Sequence, residues 1–297
     1  MTQSSGGPMP NDARITARGF SRYEGARSGV LGAIRSVSWQ SARATLGLGR
    51  LARHKIFPVL SVAIAYVPAI VFVGAAILIP DGVLEPGEIA DYAGYYGFIT
   101  AAIVLFAALV APEVLVGDRR NGMLALYLST PLHRGTYLAA KALSVVGVLA
   151  LVTLGPPVLV LVGYTVEGSG PDGLGGWLLT LARIVVSGLA VSAALSAVSL
   201  AVSSLTDRRA FAATAMALIV LATPVLASAL VDGAEMSPYW RLIDVFSMPF
   251  ELVYRIFGQA GNFPELSTPS VVAVNLVWTA LGLAVVAWRY RTLVVAR

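Results

Sequence analysis

The chain has 297 residues, 57% of them hydrophobic and 12% charged, with a mean hydropathy of +0.78. Soluble globular domains carry about 25% charged residues, so this composition excludes that class and describes an integral membrane protein. The net charge is +5, and the absence of cysteine excludes a disulfide framework, a thiolate metal site and a cysteine nucleophile.

Residues 1–25 are rich in Gly, Ser, Pro and Arg and lack an apolar run, which predicts a disordered tail and not a cleaved signal peptide. Over residues 26–55, Val30, Ile34, Val37, Ala44, Leu48 and Leu51 recur at helical spacing on one face, with Arg35, Arg43, Arg50 and Arg53 opposite. This predicts a basic amphipathic helix lying along the inner membrane surface.

A bilayer-spanning helix needs about 20 apolar residues. Six intervals qualify, at about 56–80, 92–112, 142–166, 173–206, 210–231 and 266–288, so residues 56–297 read as a six-span transmembrane domain. Every basic residue except Arg183, Arg241 and Arg255 falls on the side of the N-terminal segment, whereas Glu88, Asp91, Asp172, Asp232, Glu235 and Glu265 fall on the other. By the positive-inside rule both termini are expected in the cytoplasm of a bacterial cell, with the chain multi-pass in the plasma membrane. Pro68, the Pro156-Pro157 pair and Pro224 each remove a backbone donor inside a span and predict kinks.

Between the fifth and sixth spans, Tyr239 to Phe257 is mostly apolar but carries Arg241, Asp244, Glu251 and Arg255 within one helical sector. Arg241 with Asp244, and Glu251 with Arg255, have the spacing of helical ion pairs. Pro249 is expected to divide the segment into two short extracytoplasmic helices.

Several chemistries are missing from the sequence. Lys55 and Lys141 are its two lysines, and neither sits in a phosphate-binding G-x-x-x-x-G-K-[ST] loop. Neither His54 nor His133 opens an H-E-x-x-H zinc motif, and there is no G-x-S-x-G nucleophile turn. On the fourth span, Gly188, Ser192, Ser196, Ser199 and Ser203 form a strip of small residues suited to close helix packing, and Ser192, Ser196 and Ser199 are candidate translocation-path residues.

The most specific stretch is GDRRNGMLALYLSTPLHRGTYLAAK, residues 117 to 141, between the second and third spans. Asp118 is placed to cap a helix start, Met123 to Leu128 make a short apolar helix, and Pro131 ends it. Its pattern of acidic-Arg-x-x-Gly, a Leu-rich turn, Thr-Pro-x-x-Arg and a following Lys resembles the membrane subunit of ABC-2 type transporters. Asp118, Arg119, Gly122, Leu124, Leu128, Thr130, Pro131, Arg134 and Lys141 match that pattern without insertion. Asp118 for Glu, Met123 for Thr and Ala140 for Gly depart from its usual form, as do Leu126 and Tyr127.

The resemblance implies an all-α membrane protein: an N-terminal amphipathic interface helix, six transmembrane helices, a cytoplasmic coupling helix at 121–130, and two short extracytoplasmic helices. It further implies a permease of an ATP-driven exporter that moves an amphipathic, lipidic or drug-like substrate. Such a permease pairs with a second permease, as homodimer or heterodimer, and with two copies of an ABC ATPase subunit. ATP and Mg would be bound on that ATPase and no cofactor by this chain; the lipid bilayer is its other partner, and nucleic acid is not expected. Asp118, Arg119, Gly122, Leu124, Leu128, Pro131 and Arg134 would carry the coupling. Arg208 and Arg209 would form a second ATPase contact. Two alternatives stay open: an assembly or immunity subunit on the same scaffold, and a membrane enzyme acting on lipid-linked substrate through Glu113, Asp118, His133 and Arg134.

Overall fold

The computed structural model describes residues 25, 29–49, 55–78, 91–128 and 132–292. The expected tail and Arg50, Leu51, Arg53, Thr130 and Pro131 lie outside the described residues. Helix α1 (Gly29–Thr45) comes first, followed by α2 (Ile56–Leu78). Next come α3 (Tyr95–Leu105), a π-helical turn (Phe106–Val110), α4 (Glu113–Arg120) and α5 (Met123–Leu128). Two long helices follow, α6 (Arg134–Glu167) and α7 (Gly173–Leu205), then α8 (Arg209–Ser228) with a π turn at its end (Ala229–Gly233). A 3₁₀ helix (Pro238–Ile243), α9 (Ser247–Phe257) and α10 (Thr268–Thr292) complete the chain. The described residues contain no strand, and six helices are long and apolar enough to cross a membrane: α2, the run Tyr95–Arg120, α6, α7, the run Arg209–Gly233, and α10.

The run through α3 sits at the centre, with Tyr95, Tyr96, Ile99, Ile103 and Phe106 fully buried. Around it, α2, α8 and α10 turn large apolar side chains outward, among them Leu78, Leu221 and Leu276. In lipid such exposure costs nothing, so cohesion comes from close packing and interhelical hydrogen bonds, not from the hydrophobic effect. Where α10 crosses α7, a Cβ added to Gly282 would lie 2.8 Å from the backbone carbon and oxygen of Ala197. The two backbones meet there because no side chain stands between them.

The serine strip of α7 is the other half of that packing. Ser192, Ser196 and Ser199 are buried; Thr153 Oγ1 lies 2.8 Å from Ser192 Oγ and donates to the Gly188 carbonyl at 2.9 Å. Ser199 Oγ donates to the Ala107 carbonyl at 2.9 Å. Within this single chain Ser192 and Ser199 are engaged in hydrogen bonds to neighbouring helices.

Four boundaries differ from the sequence expectations, each for a local reason. The second span runs past Pro112 to Arg120, because the π turn shifts the backbone register before the proline. Ala111 N–H bonds Phe106 O at 3.0 Å, and Pro112 would be the next donor, to Ala107 O. Having no N–H, it leaves that carbonyl to Ser199. Asp118 therefore lies in the last turn of α4 and caps no helix start. The third span begins at Arg134, where His133 Nδ1 accepts from Thr136 N–H and Thr136 Oγ1 accepts from His133 N–H, a reciprocal capping box. Pro249 falls in the first turn of α9, where its missing donor costs nothing, so the break between the two short helices comes earlier, at 244–246.

Asp244 at that break accepts from the N–H groups of Phe246 (3.0 Å) and Ser247 (2.9 Å), and it does not pair with Arg241. Arg241 reaches Asp232 (2.7 Å) and Glu265 (3.3 Å) instead. Glu251 and Arg255 do form the expected i,i+4 pair, at 2.8 Å. On α1 the side chains turned inward are Ile34, Val37, Ser38, Ser41 and Thr45, while Val30 and Leu48 are exposed.

Because overpacking a tight crossing costs about 1–3 kcal/mol, Gly282→Val is expected to lower the thermal unfolding temperature in detergent. Gly147→Ala, made where nothing lies within 4 Å of the new Cβ, should leave it unchanged.

Candidate functional site

The segment from Glu113 to Arg134 lies at one end of the bundle, and four of its charged side chains, Glu113, Asp118, Arg119 and Arg134, turn inward, each to a different helix. Asp118 Oδ2 stands 2.6 Å from Lys141 Nζ on α6 and accepts the Tyr137 hydroxyl at 2.8 Å. Lys141 is 2% exposed and donates also to Ser41 Oγ on α1, at 2.8 Å. The rings of Tyr127 and Tyr137 flank the ammonium at 5.1 and 5.6 Å, within cation–π range. Burial, with the charge of Asp118 second, pushes the Tyr127 phenol above its ordinary pKa, so it stays a neutral hydroxyl.

Arg119 reaches the carboxyl end of α7. Its guanidinium donates to the carbonyls of Ser203, Ser204 and Thr206, and its Nε lies 3.4 Å from Asp207. The last carbonyls of a helix have no partner inside it and carry the negative pole of its dipole, so a buried cation there satisfies both. Arg134 does the same for α10, donating to the carbonyls of Tyr290 (3.1 Å) and Arg291 (2.8 Å). Arg209, at the start of α8, pairs with Glu113 at 3.0 Å and donates to the Leu109 carbonyl at 2.9 Å inside the π turn.

Between these clamps the chain turns at Gly122, whose φ of +65° suits glycine. Leu124 is buried in the main core, whereas Arg120, Asn121, Gly122 and Leu126 are exposed. Leu128 ends α5 with its side chain outside the described residues. Arg208 is exposed and lies over the Phe211 ring at 5.6 Å. The expected coupling residues thus divide into two kinds: Asp118, Arg119, Leu124 and Arg134 face the bundle, and Gly122 lies on the outer turn. Beside them, α1, α4, α5 and α6 enclose a cavity of about 940 Å³, lined by Gln40, Ser41, Glu113, Arg120, Tyr127 and Arg209 among others.

Sequence reasoning missed Tyr137, Ser41 and Tyr127 as parts of this cluster. The signal for the first shell was there, since a lysine and an aspartate flanking an apolar run each need a partner once buried. Nothing in the sequence pairs Ser41 with a residue a hundred positions away. No group of acidic or histidine side chains among the described residues is arranged to hold a metal ion.

Compared with known families, residues 21–293 match the family described as ABC-2 family transporter protein. The chain belongs to that family. Its members are the multi-pass membrane component of a transporter, which fits the six apolar helices. No curated protein matches the chain closely enough to be informative.

Hydrogen bonds to a charged donor contribute about 1.5–3 kcal/mol. Arg119→Met should therefore lower the stability of the purified permease by about 3 kcal/mol, measured by thermal or denaturant unfolding in detergent. Arg134→Met, at a more exposed helix end, should cost about 1 kcal/mol.

Proposed function

We propose that this ABC-2 family chain is the permease half of an ATP-driven exporter, joined by a second permease and by two cytoplasmic ATPase subunits that bind ATP and Mg. The observation that carries this reading is the inward clasp of the 113–134 segment. The end of the second span holds α6 through Asp118, α7 through Arg119 and α8 through Glu113, and the first residue of the third span, Arg134, holds α10. A push on such a stretch is delivered to four helices at once. The chain has no nucleotide-binding loop of its own, so the push must come from outside it.

The surface that receives the push is the turn Arg120 to Gly122 together with Leu126, with Arg208 as a second contact. Different contacts with the ATP-bound and nucleotide-free ATPase supply the free-energy difference that moves the spans. The clasp then lies on the cytoplasmic side of the plasma membrane, with both termini, a reading that the distribution of basic residues supports. The cargo is amphipathic, lipidic or drug-like, in keeping with spans whose free faces are apolar.

Two experiments test this. Loss of a well-packed contact at an interface weakens binding by about tenfold or more. Leu126→Asp should accordingly reduce the ATPase recovered with the permease by at least about that factor, with membrane insertion unchanged. Undiminished recovery and unaltered ATP turnover would sink the contact assignment. Because the chain contains no cysteine, single cysteines report topology without background: a membrane-impermeant maleimide added to intact cells should label Ser237→Cys and spare Asn121→Cys.

A further inference from the structure

We propose that Lys141 is a positioning residue, which carries movement of the 113–128 segment into the interface helix α1. The proposal rests on the permease reading above and adds a second route, out of the bundle and along the membrane surface. One ammonium with three donors joins elements far apart in sequence: it pairs with Asp118 of α4 at 2.6 Å, donates to Ser41 of α1 at 2.8 Å, and sits against Tyr127 of α5. Ser41 is itself buried on the inward face of α1. Ser38, one turn earlier on that helix, donates to the Ala140 carbonyl at 3.0 Å, so α1 is attached to α6 immediately beside the ammonium.

Stability alone does not account for this arrangement. A buried ion pair gains little over apolar residues of the same shape, but removing one partner leaves an uncompensated charge and is strongly destabilising. Pulling Asp118 away from Lys141 has the same consequence as removing it. Displacement of α4 therefore drags Lys141, and with it the hydroxyl of Ser41, because separating the charges is the costlier path. The neutral contacts of α1 with α6 impose no such penalty.

The test is amide hydrogen exchange on the intact complex of permease and ATPase in lipid nanodiscs, without nucleotide and with ATP plus vanadate. In the wild type, nucleotide should change exchange in residues 117–128 and also in 29–49. Ser41→Ala leaves the ion pair whole, and the double variant Asp118→Asn/Lys141→Met replaces it by a neutral pair of similar shape. Both should keep the response in 117–128 and lose the one in 29–49, with thermal stability close to wild type. A purely structural role would shift the unfolding temperature and leave both responses in place. Retention of the 29–49 response at wild-type size in both variants overturns the proposal, as does a wild type that responds in 117–128 alone. A wild type in which nucleotide changes nothing in 117–128 overturns the permease reading itself.

Discussion

Moving a carboxylate and an ammonium out of water costs several kcal/mol for each ion, and Asp118 and Lys141 sit 2.6 Å apart with the lysine almost wholly buried. Neither group is tolerable there without the other. The pair fixes the height of α4 against α6, and the Tyr137 hydroxyl and Ser41 hydroxyl complete its hydrogen bonds. With α4 pinned at that level, Arg119 one residue later points to the end of α7, and Glu113 on the preceding turn meets Arg209. The Glu113 and Arg119 clamps are consequences of this register, since a shift of α4 by one residue would swing each charge about 100° around its axis.

Two of those clamps use the same physics on different helices. Arg119 and Arg134 each place a guanidinium on the terminal carbonyls of a span, α7 and α10 respectively, where orphan acceptors and the negative end of the helix dipole coincide. Arg120, the glycine turn and Leu126 stay exposed. That is a surface of the kind a protein partner buries.

The sequence was legible where physics acts locally. Six apolar runs gave six spans, and the motif from Asp118 to Lys141 gave the family. What stayed hidden depends on distant partners. The charges of the motif suggested an exposed contact surface, yet Asp118, Arg119 and Arg134 spend themselves on α6, α7 and α10. Arg209, expected to face an ATPase, is held by Glu113 and the Leu109 carbonyl. Pro249 is expected from the sequence to divide its segment, but it sits in a first turn, where the missing N–H has no carbonyl of its own helix to abandon.

The π turn shows how the clasp is joined to the membrane-spanning core. Phe106 to Val110 widens the helix between the buried tyrosines of α3 and the charges of α4, and it releases two carbonyls from their usual donors. Ala107 O is taken by Ser199 of α7 and Leu109 O by Arg209 of α8. The helices that donate these bonds are the same two that Arg119 and Glu113 hold. Helix α7 is thus gripped at two heights by one span, through Arg119 of α4 and through the backbone of the turn above it, whereas both contacts with α8 converge on Arg209. A single grip would let a helix pivot about the contact. Two grips along its length oblige it to follow both the translation and the tilt of the second span, so a displacement applied to α4 enters the bundle as a rigid-body movement of packed helices.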